Sequence, residues 1–278
     1  LQDGEFVYPM DFNQKIKVQV RVDSAKGSAE IDFTGTSLQG QNNYNAPRSI
    51  CNAVVLYVFR TLVGSEIPLN EGCLKPLKII APNGSMINPK YPAAVIAGNT
   101  EVSQNMCDCL FGALGVIAGS QATMNNFVWG NNKFQNYETI AGGSGAGPGF
   151  NGMSGTQVHM TNTLMTDPEV LESRFPVRLD VFSIRYGSGG KGKWQGGDGV
   201  HRVLRFLEKT TVTTLCSHRV IPPFGVNGGQ AGLVGEDTVI RANGSREEQP
   251  GNTEVELDYD DAFEMLTPGG GGWGHPEA

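Results

Sequence analysis

The chain has 278 residues, a formal net charge of −7 and 38 glycines, with 18% of its residues charged. That length suits one large domain or two smaller ones. The acidic balance with no basic patch argues against a nucleic-acid surface, and no apolar run is long enough for a transmembrane helix.

Five cysteines, at 51, 73, 107, 109 and 216, form no regular framework. They read as reduced and mostly structural, which places the chain in the cytoplasm. Its opening, LQDGEFVYPM, has neither an initiator Met nor a basic signal-peptide start and reads as the beginning of a piece of a longer polypeptide.

Lys15–Asp23 and Ser28–Thr34 alternate polar and apolar residues, which predicts two half-buried strands joined as a hairpin. Gln39–Pro47 is a polar loop. Ser49–Val63 is apolar on nearly every face and too long for a strand, so it predicts a buried helix with Gly64 as its stop. Short strands broken by Pro82, Pro89 and Pro92 follow. Thr100–Ala118 predicts a second buried helix, capped by Thr100 and carrying the core stripe Val102, Met106, Leu110, Ala113, Leu114 and Ile117.

Strands are predicted at Phe127–Gly130 and Lys133–Thr139, then a glycine-rich loop, Ala141–Thr163, ending in the polar tract around His159. A loop this long in a compact domain is usually functional or disordered. A short helix starts at Thr166-Asp167-Pro168-Glu169, capped by either Thr166 or Asp167, and ends before Pro176. Beyond Val177 the chain reads as strands separated by Gly-rich turns. The predicted fold is α+β, predominantly β, with two buried helices in the first half and a sandwich or barrel-like second half. A soft boundary divides 1–176 from 177–278, unless the two parts are one continuous domain.

Two phosphate-loop look-alikes fail. Gly147, Gly149 and Gly152 match G-x-G-x-x-G, but Pro148 lies inside and no helix follows. Gly187, Gly192 and Lys193 match G-x4-G-K, but Trp194 stands where a Mg²⁺-binding hydroxyl is needed. The four histidines form no zinc pattern. His159 is the best functional candidate because Thr161, Asn162 and Thr163 crowd it beside the glycine loop; His218 is second. Glu169 and Glu172 share a helix face, where a helix-dipole role competes with acid–base work. Glu101 and Glu138 are lone acids near polar loops.

The strings DFTGTSLQGQNNYNAP, IPLNEGCLKPLKIIAPNGSMINP, QATMNNFVWG and YETIAGGSGAGPGFNGMSGTQVHMTNT, followed by SGGKGKWQGGDG, PPFGVNGG and TPGGGGWG, resemble the hydantoinase B/oxoprolinase family, in order and along essentially the whole chain. The resemblance implies one part of a large assembly that opens lactam or hydantoin rings with ATP, or that carboxylates acetone or acetophenone. It places ATP and Mg²⁺ on an A-type partner subunit or half. It places a divalent-metal motif in an amino-terminal half absent from this sequence, so no metal ligand is assigned here. The matching motif positions are Thr123, Asn125, Asn126, His159, Thr161, Asn162 and Thr163.

On this basis His159, Asn162 and Glu169 are the expected catalytic residues. Thr123, Asn125, Asn126, Gly143, Gly145, Thr161 and Thr163 are the expected substrate contacts, with glycine-loop amides stabilising an oxyanion. The expected ligand is a small cyclic amide, and the expected state is an oligomer with the A-type partner. A ketone carboxylase subunit and a non-catalytic docking scaffold stand as alternatives.

Overall fold

Ile16, Val18 and Val20 alternate with polar neighbours, and in the computed structural model, which describes residues 1–276, they form the fully buried face of a strand. The chain divides into two units, one ending at Ile117 and one beginning at Ala118. In the first, β1 (Gly4–Pro9), β2 (Lys15–Asp23), β3 (Ser28–Asp32) and β4 (Leu77–Ile80) form one sheet in chain order. The pairs β1–β2 and β2–β3 are antiparallel, whereas β4 runs parallel to β3. A parallel neighbour needs a crossover, and helix α1 (Arg48–Thr61) lies within it.

The second predicted helix is shorter than its apolar pattern implied. Gly98–Val102 is a π-helical turn and α2 spans Ser103–Leu114, so Thr100 lies inside the π turn and caps nothing. Gly115 ends the helix at φ +62°. There the Gly115 N–H donates to Gly112 O at 3.1 Å and the Val116 N–H to Phe111 O at 3.2 Å. That left-handed geometry favours glycine and stops the helix three residues before Ala118. Four of the six stripe positions are buried, Val102, Met106, Leu110 and Ala113, whereas Leu114 and Ile117 are half-buried and Ile117 lies past the helix end; α2 packs on β1, β2 and α1.

The second unit contains β5 (Asn126–Gly130), β6 (Gln135–Thr139), helix α3 (Pro168–Arg174), β7 (Val177–Arg185), β8 (Gly199–Phe206), β9 (Thr210–Leu215), β10 (Glu236–Ile240), β11 (Arg246–Gln249), β12 (Asn252–Leu257) and β13 (Ala262–Leu266). They make two sheets, ordered β11-β10-β13-β8-β7 and β12-β9-β5-β6. Phe127, Trp129, Leu204, Phe206, Val212 and Phe263 fill the core shared by the two sheets. Trp129 meets Phe134, Phe175 and Phe206 edge-on, a favoured aromatic geometry. The architecture is α+β and mostly β, with a sandwich and no closed barrel in this half. The soft boundary at Pro176 lies inside this unit, because β5 pairs with β9 across it.

Asp167, not Thr166, caps α3: its carboxylate accepts the Glu169 N–H at 3.1 Å, and Pro168 occupies the first helical turn. All five cysteines are free thiols. Burial pushes the Cys51 thiol up to about 12 and raises Cys107 and Cys109 as well, which suits structural rather than reactive roles.

Candidate functional site

The glycine loop is built into the body of the second unit. The Gln121 N–H donates to Gly143 O at 2.8 Å, Gly143 N–H to Pro268 O at 3.0 Å, and Gly197 N–H to Ser144 O at 2.9 Å. Ala146 N–H donates to Gly271 O at 3.0 Å, and Gly271 N–H to Gly119 O at 2.7 Å. Segments from four parts of the chain thus lie side by side, backbone against backbone. A Cβ at Gly143 would sit 2.0 Å from Gly197 O, and one at Gly145 would sit 1.9 Å from Ala118 O. These glycines exist so that backbones can touch. The Gly143 amide is already donated within the protein, which removes it from the expected oxyanion role.

Thr123, Asn125 and Asn126 are likewise buried and internally committed. Thr123 Oγ1 accepts the N–H groups of Asn125 at 3.0 Å and Ser217 at 3.2 Å. Asn125, at φ +43°, donates through Nδ2 to Gln121 Oε1 at 2.8 Å and to Ile140 O at 3.0 Å. Its Oδ1 accepts from Arg219 Nη1 at 3.0 Å. Arg219 grips Asp237 with two bonds of 3.0 Å, and both side chains are almost wholly buried. Burial pushes the Asp237 carboxyl above its ordinary value, although the guanidinium opposes this. Asn126 Nδ2 donates to Leu215 O at 2.6 Å, and Tyr137 OH donates to Asn126 Oδ1 at 2.7 Å. The expected substrate contacts at 123, 125 and 126 are therefore an internal brace. Buried polar side chains must find partners, and these have found them in the protein.

The polar tract is different. The Thr161 N–H donates to Val158 O at 3.0 Å, closing a four-residue turn with His159 in its second position. His159 is half-buried at φ +48°, a conformation uncommon for any residue but glycine. Such outliers concentrate at functional sites. Asn162 and Thr163 are exposed and Thr161 is half-buried. Gln157 Nε2 donates to Thr139 O and Thr139 Oγ1, each at 3.1 Å, while the Thr163 and Thr139 hydroxyls share a hydrogen bond. The structure thus brings His159, Thr161, Asn162 and Thr163 together on one turn fixed to the end of β6. Gly143 and the 123–126 segment belong to its support, and Glu169 stands on the first turn of α3.

Thr139 and Gln157 had no signal in the sequence, because only pairing reveals that both ends of the turn meet on one strand residue. Glu138 points to the opposite face from Thr139. It pairs with Arg202 Nη2 at 2.8 Å, and both are buried. His218 is also structural: buried at φ +56°, its Nδ1 lies 2.5 Å from Ile221 O. His201 pairs with Glu264 at 2.9 Å. No group of three His, Cys, Asp or Glu among the described residues could hold a metal ion. A groove of about 530 Å³ in the first unit is lined by Arg21, Glu30 and Lys78, but Glu30 binds both cations, at 2.6 and 2.7 Å. It is a solvated ion-pair ladder.

The family model described as hydantoinase B/oxoprolinase matches residues 1–276. The chain belongs to the hydantoinase B/oxoprolinase family. It is 42% identical to a 5-oxoprolinase of Dictyostelium discoideum over 97% of its own length and 21% of that relative. The chain therefore spans about a fifth of such a relative. In fold, this family member is similar to a nucleotide-free acetone carboxylase, with TM-score 0.83 and 20% identity over 94% of this chain and 41% of that one. It is similar also to an ATP-dependent caprolactamase from Pseudomonas jessenii, with TM-score 0.82 and 19% identity over 99% of this chain and 52% of that one. No helix among the described residues is long and apolar enough to cross a membrane.

Proposed function

We propose that the chain is one part of an ATP-dependent cyclic-amide hydrolase opening 5-oxoproline or hydantoin-type rings. The observation that carries this reading is the 42% identity to a 5-oxoprolinase along nearly the whole chain. An unactivated amide resists attack, and ATP supplies activation of its carbonyl oxygen. The look-alike phosphate loops here do not fit a nucleotide, since the amides of Gly152, Gly190 and Lys193 donate to Gln195 O, Gly270 O and Gly274 O. In this reading ATP and Mg²⁺ belong to an A-type partner in an oligomeric assembly, and no nucleotide step is placed on this chain. Its five free thiols support a cytoplasmic setting.

This chain's contribution is the Val158–Thr163 turn. A histidine ring offers two nitrogens that can donate or accept a proton, so His159 is suited to move the proton during ring opening. The exposed Asn162 amide offers a donor and an acceptor to the ring's own amide, with Thr161 beside it. Glu169, exposed on α3, is a secondary candidate. His159→Ala in the complete assembly should lower kcat about a hundredfold, at the low end for loss of a general acid–base, with the melting temperature retained. Unchanged turnover by a folded variant would remove His159 from the chemistry.

The likeness to acetone carboxylase favours a second reading, a ketone carboxylase subunit. Bicarbonate-dependent ketone consumption separates it from ring opening, which needs no bicarbonate. A docking scaffold is the third; tight partner binding with full turnover after removal of the His159 turn's polar side chains would select it.

A further inference from the structure

Thr139 is the last residue of β6 and is buried to 1% exposure, yet side chains from both sides of the His159 turn converge on it. Gln157, before the turn, reaches its carbonyl and its hydroxyl; Thr163, after the turn, shares a hydrogen bond with the same hydroxyl. A threonine hydroxyl carries one donor and two acceptor positions, so one Oγ1 can serve both partners. Between them lies only Val158–Asn162, closed internally by the Thr161–Val158 bond. A further tie lies on the other face of β6, where Glu138, held by Arg202 through Oε2, accepts the Thr166 N–H through Oε1 at 3.4 Å. The chain leaving the turn is thus tied to β6 again within three residues of Thr163.

We propose that Thr139 is a positioning residue that clamps both ends of this turn and so sets where the His159 imidazole stands. His159 holds a backbone conformation that costs energy, and such a conformation persists only where its surroundings over-determine it. The Thr139 clamp contributes to that determination by fixing both ends of the turn. A rigid strand is also a better foundation for a reacting group than a free loop. The catalytic part of the proposal rests on the reading of His159 above; the clamp itself does not.

The test uses the complete assembly with three variants. Thr139→Val keeps β-branching and volume but removes both hydroxyl bonds. Thr139→Ser keeps the hydroxyl. Thr163→Val, at an exposed position, removes one end of the clamp without touching the core. Two readouts are needed: hydrogen–deuterium exchange of the peptide spanning 157–163, and kcat with KM for ATP-dependent 5-oxoproline opening. Each valine variant should speed exchange in the turn and lower kcat by about tenfold, the scale of one lost buried hydrogen bond, with KM changed less. Serine at 139 should restore both. Unchanged exchange in both valine variants overturns the clamp, and faster exchange with unchanged kcat overturns the positioning role. If Thr139→Val does not fold, Thr163→Val decides alone. If the wild-type assembly opens no lactam, the functional reading fails, while the exchange result still decides the clamp.

Discussion

Gly143→Ala is expected to yield no stably folded protein. A methyl group there would stand 2.0 Å from Gly197 O and 2.4 Å from Gly270 N, far inside ordinary contact distance. Neither obstacle is the end of a flexible side chain. Both are backbone, and both segments are pinned: Gly270 N–H donates to Gly197 O at 2.8 Å, and Gly190 N–H donates to Gly270 O at 2.8 Å. One extra methylene in an ordinary core costs about 1–3 kcal/mol because side chains can shift. Here whole segments would have to separate, breaking several hydrogen bonds, so the loss should exceed about 4–5 kcal/mol, a large share of a domain's total stability. Gly64→Ala is the control, since nothing lies within 4 Å of its added methyl. Soluble yield and thermal melting measure both. A Gly143→Ala protein that melts like the parent would contradict the backbone packing described here.

Arg219→Met should destabilise the second unit by about 3–5 kcal/mol, the cost of leaving a buried charge without its partner. Asp237 is completely buried and its two bonds to Arg219 would vanish, along with the bond to Asn125 that orders the start of β5. Adding Asp237→Asn should recover part of the loss by removing the stranded charge. The pH dependence has a definite sign. Burial holds the native Asp237 carboxyl above its unfolded value, and losing Arg219 raises it further. Between those two values the folded state binds the extra proton, so stability falls as pH rises and the variant's deficit shrinks on acidification. Denaturant titrations of the single and double variants at acidic and neutral pH test this. Equal stability of Arg219→Met and wild type would mean that the ion pair braces nothing.

Much of the fold was legible in side-chain periodicity. The alternation of Ile16, Val18 and Val20 marked β2, the continuous apolar run marked α1, and Pro168 with Asp167 marked the start of α3. β11 was not legible, because Arg246-Glu247-Glu248-Gln249 has no apolar alternation; it is an exposed edge strand held by pairing to β10. The soft boundary at Pro176 rested on a shift in composition, and composition cannot show that β5 pairs with β9 across it.

At the candidate site, the residue types drew notice for sound reasons, but their partners lie far away in sequence. Asn125 meets Arg219, Asn126 meets Leu215, and Gly143 meets Gly197 and Pro268. Polar or glycine-rich segments serve a ligand or the fold according to those partners. The Ala141–Thr163 loop accordingly divides in two, with its glycine half packed into the fold and its His159 half presented on a clamped turn.

The most direct measurement is product formation by this chain in its complete assembly, supplied with 5-oxoproline and ATP and no bicarbonate. The expected result is release of the ring-opened amino acid, dependent on ATP and reduced about a hundredfold by His159→Ala. No ring opening, with ATP-dependent consumption of a ketone only when bicarbonate is added, would contradict the hydrolase reading and establish the carboxylase one.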